Sequence, residues 1–101
     1  MLNQVVLVGK LVNEVKVEEL EEGKKVASIT LAIPRSYKNE NGEYDTDFIT
    51  CDIFGSIAEN VSEYCKKGNI IGVKARMESK DDKQQIAVEK VTFLSSKKSD
   101  E

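Results

Sequence analysis

Alternation of apolar with polar or smaller residues at a period of two is the feature of this sequence that most constrains its fold. In the segment 26–34, every second residue belongs to one apolar face: Ala27, Ile29, Leu31 and Ile33. The segment 47–54 repeats the pattern with Ile49, Cys51 and Ile53. Side chains of a β-strand point alternately to the two faces of a sheet, so each segment predicts a strand with one face in the core and one in solvent.

The first segment, 1–11, predicts a strand that needs cover on both faces. Residues 5–8 are four consecutive apolar positions, so neither face is polar. One face can join the core, and a second copy of the chain would cover the other, with Gln4, Val6 and Val8 in the interface. Cover by the chain's own helix or by a loop is the alternative. Gly9 suits a bulge or a bend in this strand.

The middle of the chain predicts a charged strand, a polar loop and then a helix. The segment 15–20 continues the first strand as a weak, charged strand, and Pro34 ends the alternating strand before a polar loop at 35–46 with Asn41-Gly42 at its turn. Ser56 and Glu59 have the spacing of a capping box, which predicts a helix over 56–67. Tyr64 recurs at helical spacing and is assigned to the core.

The last part of the chain predicts two more strands, 69–79 and 84–94, joined by a short turn at Asp81-Asp82. The apolar phase of the final strand slips near Glu89, which predicts a bulge, and Phe93 is assigned to the core. The whole order is three strands, one helix and two strands. That order is typical of the OB-fold, an all-β, five-stranded Greek-key barrel with a helix between strands 3 and 4. We expect one domain over 1–94 and a short disordered tail over 95–101.

Composition argues against catalysis and against a membrane protein. The chain has no histidine and two widely separated cysteines, so it lacks the commonest general base and cannot build a four-ligand zinc site alone. No catalytic motif is present, and we expect no enzyme activity, cofactor or small-molecule substrate. No apolar run approaches the ~20 residues of a membrane span, and the N-terminus lacks signal-peptide features. We therefore expect a cytoplasmic protein.

The strand at 47–54 carries the residues that point to function. Its second face contains Phe48, Thr50, Asp52 and Phe54, so two rings share a polar surface. Proteins that bind single-stranded nucleic acid need flat rings for the bases and cations for the backbone. Tyr37, in the preceding loop, adds a third ring. The candidate cations are Lys10, Arg35, Lys38, Lys74 and Arg76.

Each of these residues also has an ordinary structural interpretation. Phe48 and Phe54 could pack under a loop or helix, and Tyr37 could be a simple loop residue. Lys74 and Arg76 could form a solvated face. The formal net charge of −3 argues weakly against nucleic acid, although partners respond to the local field rather than to the average.

Four stretches in order resemble the bacterial and phage single-stranded DNA-binding proteins. They are LNQVVLVGKL, VASITLAIPRSY, TDFITCDIFG and IAENVSEYCKKG. The resemblance covers roughly residues 2 to 94. It implies base stacking on Tyr37, Phe48 and Phe54, and a homotetramer, or at least a dimer, that pairs through the first strand. It also implies a part in replication, recombination or repair.

The sequence departs from that family in two places. The last hairpin is short and reads Lys80-Asp81-Asp82-Lys83, without the family's usual ring, and no long acidic tail follows. These departures keep an alternative open, namely a tail-less OB-fold module of a primosome or a mobile-element replication system that mainly binds proteins. The three retained rings favour single-stranded DNA.

Overall fold

The structure, a computed structural model, describes residues 1–94 and consists of strands, one helix and one 3₁₀ turn. The predicted tail at 95–101 lies outside the described residues. The strands are β1 (Val5–Leu11), β2 (Glu18–Glu19), β3 (Lys25–Lys38), β4 (Tyr44–Phe54), β5 (Ile70–Lys80) and β6 (Lys83–Phe93). Helix α1 (Gly55–Tyr64) follows β4, and the 3₁₀ turn is Glu21–Gly23.

Five of these strands close into a barrel. The sheet order is β1-β5-β6-β4-β3-β2, and an additional pairing of β1 with β3 closes the ring. All pairings are antiparallel except that of β4 with β6, where Asp52 lies beside Ala87. The two-residue β2 pairs only with the start of β3. The predicted fold class, an all-β five-stranded barrel with one helix after the third barrel strand, is confirmed.

The barrel interior is filled by the apolar phase of each strand. Leu11, Ile29, Leu31 and Ile53 are fully buried, and α1 contributes Ala58 and Val61. The two cysteines belong to this core and are not joined in a disulfide. Burial raises the pKa of both thiols, Cys51 and Cys65, to about 11, so both stay protonated and unreactive near neutral pH.

Gly9 is required by the close approach of β1 to β3. A Cβ atom at Gly9 would lie 2.7 Å from Cγ1 of Ile33 and 2.9 Å from the backbone oxygen of Ala32. The sequence predicted a bulge or a bend here, and the register of β1 with β5 runs through Gly9 without a shift, so the bulge is absent. The glycine instead lets β1 pair with β5 along its length and with β3 at its end, which closes the barrel.

The prediction of a loop over 35–46 was wrong, because β3 and β4 both continue into this segment. β3 extends to Lys38 and β4 begins at Tyr44, and the two form a long hairpin beyond the barrel wall. Pro34 is tolerated because a register shift follows it and because β1 pairs with β3 no further along than Ala32. The turn is confined to 39–43, where Gly42 has a φ of +78°.

The predicted helix is present, but its predicted N-terminal cap is not. The residue that caps the N-terminus of α1 is Phe54, without a side-chain cap, so the Ser56–Glu59 capping box does not form. Glu59 is instead paired with Lys25 of β3. The helix ends at Tyr64, three residues before the predicted end.

Two further predictions about the last elements had opposite outcomes. The bulge is confirmed: Lys74 pairs with Lys90 and Ala75 with Val88, which leaves Glu89 as the extra residue. Assigning Tyr64 and Phe93 to the core was wrong, since they are 64% and 50% exposed. The two rings pack on each other at the surface, with centroids 6.2 Å apart.

Candidate nucleic-acid interface

The outer side of β4 carries an aromatic face, which we define as Phe48, Thr50, Asp52 and Phe54. Its neighbours in the strand, Ile49, Cys51 and Ile53, point into or towards the core. Phe48 is 66% exposed and Phe54 is 44% exposed. The predicted outward orientation of both rings is therefore confirmed, and their role in binding remains a prediction.

The rings are exposed because their cross-strand neighbours are small or only moderately sized. Phe48 lies opposite Ala32, and Phe54 lies opposite Val26. Neither neighbour is large enough to cover an aromatic ring, so both rings can present surface to a flat ligand.

The strip between the two rings is polar and internally bonded. The hydroxyls of Thr30 and Thr50 are 3.0 Å apart, and the Ser28 hydroxyl donates to a carboxylate oxygen of Asp52 at 3.2 Å. These bonds tie β3 to β4 across the face. These hydrogen bonds therefore fix the polar side chains that lie between the two rings of the aromatic face.

Lys10 borders the aromatic face on the β1 side. Lys10 pairs with Ala32, and Ala32 pairs with Phe48, so the three residues form one row across three strands. Neighbouring strands are about 4.8 Å apart, which places the Lys10 backbone roughly 10 Å from that of Phe48. The exposed ammonium can therefore reach a phosphate next to a base stacked on Phe48.

Arg76 borders the same face from the other side. Arg76 pairs with Ala87, and Ala87 lies beside Asp52, so this row crosses β5, β6 and β4. Arg76 is exposed, with its Nε 3.8 Å from a carboxylate oxygen of Glu78. Cations on both sides of β4 can contact a backbone whose bases lie on the rings.

Lys74 is exposed on the same face of β5 as Arg76 but belongs to a different row of the sheet. Lys74 pairs with Val6 on one side and with Lys90 on the other. Val6 belongs to β1 and Lys90 to β6, so the row through Lys74 is not the row that joins Arg76 to Asp52. Lys74 lines a surface pocket together with Val6 and Val8.

Arg35 is not a free cation. Its Nη2 donates to Asp47 at 2.8 Å and its Nε donates to the same carboxylate at 3.1 Å, a bidentate pair. The pair raises the pKa of Arg35, with a smaller contribution from Tyr37, and lowers the pKa of Asp47. Asp47 precedes Phe48 in β4, so Arg35 lies on the opposite side of the hairpin from the aromatic face.

Tyr37 and Lys38 lie at the far end of the hairpin. Tyr37 is 63% exposed and lies in the irregular part of β3, close enough to Arg35 to contribute to the raised pKa of its guanidinium. Lys38 pairs with Tyr44, and its Nζ lies 5.8 Å from the centre of the Tyr44 ring. Sequence reasoning missed Tyr44, which is 57% exposed. Placing 35–46 in a loop removed the strand alternation that would have revealed it.

The predicted interface on β1 forms an exposed apolar patch, defined as Val6, Val8, Gly72 and Leu94. Val6 is 64% exposed and Val8 is 51% exposed, whereas Val5 and Leu7 pack against the core. Leu94, which sequence reasoning did not assign, extends the patch beside Gly72. Gln4 is exposed just before β1.

Neither a metal centre nor a membrane-spanning helix occurs in the part of the chain that the structure describes. Within residues 1–94, no three His, Cys, Asp or Glu side chains come close enough to hold a metal ion. The helix of that region is too short and too polar to cross a bilayer.

Comparison with known proteins identifies the family. Residues 2–96 match the single-strand binding protein family. Single-stranded DNA-binding protein B of Bacillus subtilis is 40% identical over 79% of this chain and 71% of that protein. Single-stranded DNA-binding protein 3 of Listeria innocua is 40% identical over 96% of this chain.

The relatives are longer than the region that matches this chain. The chain spans 66% of the Listeria innocua protein and 51% of single-stranded DNA-binding protein 1 of Staphylococcus aureus, to which it is 41% identical. A crystal structure of a deletion mutant of the Thermus aquaticus single-stranded DNA binding protein has the same fold, with a TM-score of 0.75 and 24% identity over 93% of this chain and 51% of that one. The sequence matches show that this chain belongs to the single-strand binding protein family, and its fold agrees with that assignment.

Proposed function

We propose that this chain binds single-stranded DNA with little sequence preference and acts in replication, recombination or repair. The observation that carries the proposal is the pair of exposed rings on one side of β4, Phe48 and Phe54, with only small or moderately sized side chains opposite them. Every base has a flat surface that can stack on such a ring, so stacking does not depend on sequence. The family membership of the chain supports the same activity.

In this proposal the DNA backbone follows a path flanked by cations. Lys10 and Arg76 lie two strands from β4 on opposite sides, so each can contact a phosphate beside a stacked base. Lys38 and Tyr37 extend the path along the hairpin. Arg35 joins only if a phosphate displaces Asp47 from its guanidinium. The proposal assigns binding, without catalysis or a cofactor, to a cytoplasmic protein.

We also propose that the apolar patch on β1 takes a second copy of the chain, giving a dimer or a tetramer. Val6 and Val8 are exposed, apolar and adjacent along one face of the strand. Replacing Val6 with Glu would place an uncompensated charge in that contact, which is costly. Light scattering at micromolar concentration should give an oligomer for the unmodified chain and a smaller species for Val6→Glu. A monomeric unmodified chain would refute this part.

A titration of fluorescent oligo-dT at two salt concentrations tests the main proposal. Binding should weaken with salt, with a log–log slope of about −0.7 for each phosphate contact on a single strand. A mixed-sequence oligonucleotide should compete nearly as well as oligo-dT, and duplex DNA should compete poorly. If oligo-dT does not bind even at low salt, the protein-interaction module becomes the better account.

A further inference from the structure

We propose that Tyr44 is a further base-stacking residue, which extends the aromatic face along the β3–β4 hairpin, and that Lys38 is its phosphate-binding neighbour. The inference rests on the proposed DNA-binding function. It concerns how far along the hairpin the DNA is bound.

The direction of Tyr44 follows from strand alternation. Tyr44, Phe48 and Phe54 are all even-numbered residues of the single strand β4. The irregularity in this hairpin lies on β3, where three residues, 35–37, lie opposite one residue of β4. The alternation of β4 therefore continues from Phe54 to its first residue, and Tyr44 lies on the same side as Phe48.

The ion pairs of Arg35 support this assignment independently. Arg35 contacts both Asp47, at 2.8 Å, and Asp45, at 3.8 Å. Both carboxylates therefore point to one side of the hairpin, the side away from Phe48. Tyr44 is the strand neighbour of Asp45, so its ring points to the other side.

The surroundings of Tyr44 suit a stacked base with its phosphate. Its side chain is 57% exposed, comparable to that of Phe48 at 66%. The Lys38 Nζ lies over the Tyr44 ring, 5.8 Å from its centre, so a base that stacks on that face would displace the ammonium towards the phosphate. A nucleotide there would place its base on the ring and its phosphate near the ammonium.

The position of Tyr44 makes its contribution dependent on DNA length. At about 3.4 Å per residue, Tyr44 lies roughly 14 Å along the strand from Phe48, and the row from Tyr44 to Phe54 spans roughly 34 Å. A short oligonucleotide can occupy Phe48 and Phe54 without reaching Tyr44. Only a longer strand engages the whole row.

The first experiment measures the affinity of Tyr44→Ala for a series of oligo-dT lengths. For long oligo-dT we expect a loss on the order of 5- to 150-fold, typical of removing one stacking ring, and for the shortest oligonucleotide that binds we expect almost none. Tyr44→Phe should retain the affinity, because it keeps the ring. Tyr64→Ala is the matched control, since Tyr64 is a similarly exposed tyrosine that packs on Phe93 at the end of α1, outside the β3–β4 hairpin.

The second experiment measures the fluorescence of Tyr44 itself. The chain has no tryptophan and three tyrosines, so Tyr37→Phe with Tyr64→Phe leaves Tyr44 as its one tyrosine fluorophore. Long oligo-dT should quench that fluorescence. In the matched variant with Tyr37→Phe and Tyr44→Phe, the remaining Tyr64 should report no quenching while labelled DNA shows equal binding.

The outcomes separate this inference from the proposed function. If Tyr44→Ala binds every length as the unmodified chain does, while Phe48→Ala is weakened, DNA binding stands and the role of Tyr44 is overturned. An equal loss at all lengths, accompanied by a lower unfolding temperature, would also overturn it, because Tyr44 would then act through the fold. If the unmodified chain binds no length, the proposed function itself fails.

Discussion

The barrel extends two long hairpins, and they differ in both their turns and their surfaces. The β3–β4 hairpin carries the exposed rings Tyr37, Tyr44 and Phe48, and the side chain of Asn39 accepts hydrogen bonds from the N–H groups of Asn41 and Glu43 to organise its turn. The β5–β6 hairpin has no aromatic residue from 74 to 90. Its two-residue turn places Asp81 and Asp82 at φ of 52° and 66°.

The comparison shows that two hairpins with the same antiparallel strand pairing can present very different outer surfaces. Both hairpins use antiparallel ladders of similar length, so the ladder itself does not decide which hairpin contacts DNA. The difference lies in the side chains on the outer face, with rings beside small neighbours on one hairpin and charged or amide residues on the other. We therefore expect the largest effects on binding from substitutions of the rings of the first hairpin.

The largest effect should come from removing the rings at Phe48 and Phe54. Alanine at either position should weaken single-stranded DNA binding by about 1–3 kcal/mol, because a stacking surface is lost. Stability should fall by well under the ~3–5 kcal/mol typical of truncating a buried phenylalanine. Affinity and urea unfolding are measured on the same variants.

The matched control for the rings is Gln84→Ala, an exposed position on the second hairpin. It should change neither quantity. A double Phe variant that is strongly destabilised but binds DNA normally while folded would reverse the comparison, because the rings would then be structural.

The next effect is on stability and belongs to the turns. Asp81→Asn combined with Asp82→Gly should stabilise the chain by about 0.5–1 kcal/mol, because Asn-Gly suits two consecutive positive φ angles. Gly42→Ala in the first hairpin should destabilise it by about 1 kcal/mol, since Gly42 has a φ of +78° and open space around it. Thermal unfolding measures both, and equal effects of the same sign would contradict the expectation.

A smaller effect should separate two cations of β5. Arg76 lies in the row that reaches Asp52, so Arg76→Gln should remove one phosphate contact. The log–log salt slope of DNA binding should then fall in magnitude by about 0.7. Lys74→Gln should leave the slope unchanged, since Lys74 lies opposite Val6. The reverse result would place the DNA path across the β1 side of the barrel.

The smallest effect concerns the ion pair of the first hairpin. Arg35 lowers the pKa of Asp47 in the folded chain, so this pair stabilises the fold above the unfolded pKa of about 3.9 and ceases to do so as the pH falls through the lower, folded value. The stability difference between the unmodified chain and Arg35→Gln should therefore shrink on going from pH 6 to pH 3. Urea unfolding at the two pH values measures it, and a constant difference would show that the carboxylate is not involved.

The fold could be predicted because the signals that define it are local. The alternation at 27–33 and 49–53, the turn at Asp81-Asp82 and the phase slip at Glu89 each involve residues within a few positions of one another. The capping box failed because Ser56 and Glu59 match a local motif, while Glu59 has a competing partner in Lys25, 34 residues away along the chain. A local pattern cannot weigh that competition.

The candidate site was predicted in its centre and missed at its edges. Phe48 and Phe54 follow from parity within one strand, so the sequence sufficed. Tyr44 was missed because Pro34 indicated a loop, and only the pairing of β3 with β4 shows that the strand continues. Tyr64 and Phe93 look like core residues by hydrophobicity, but among residues 1–94 no other element covers the surface where they meet.

By itself the sequence determined the strand order, the core phase of 26–34 and 47–54 and the outward direction of two rings, because a period of two is fixed by the backbone. The tertiary structure decided which charges are available. Arg35 is neutralised by Asp47, Arg76 shares a row with Asp52, and Lys74 is placed beside Val6. These relations depend on register between strands that are distant in the chain, and register is set by packing the whole barrel at once.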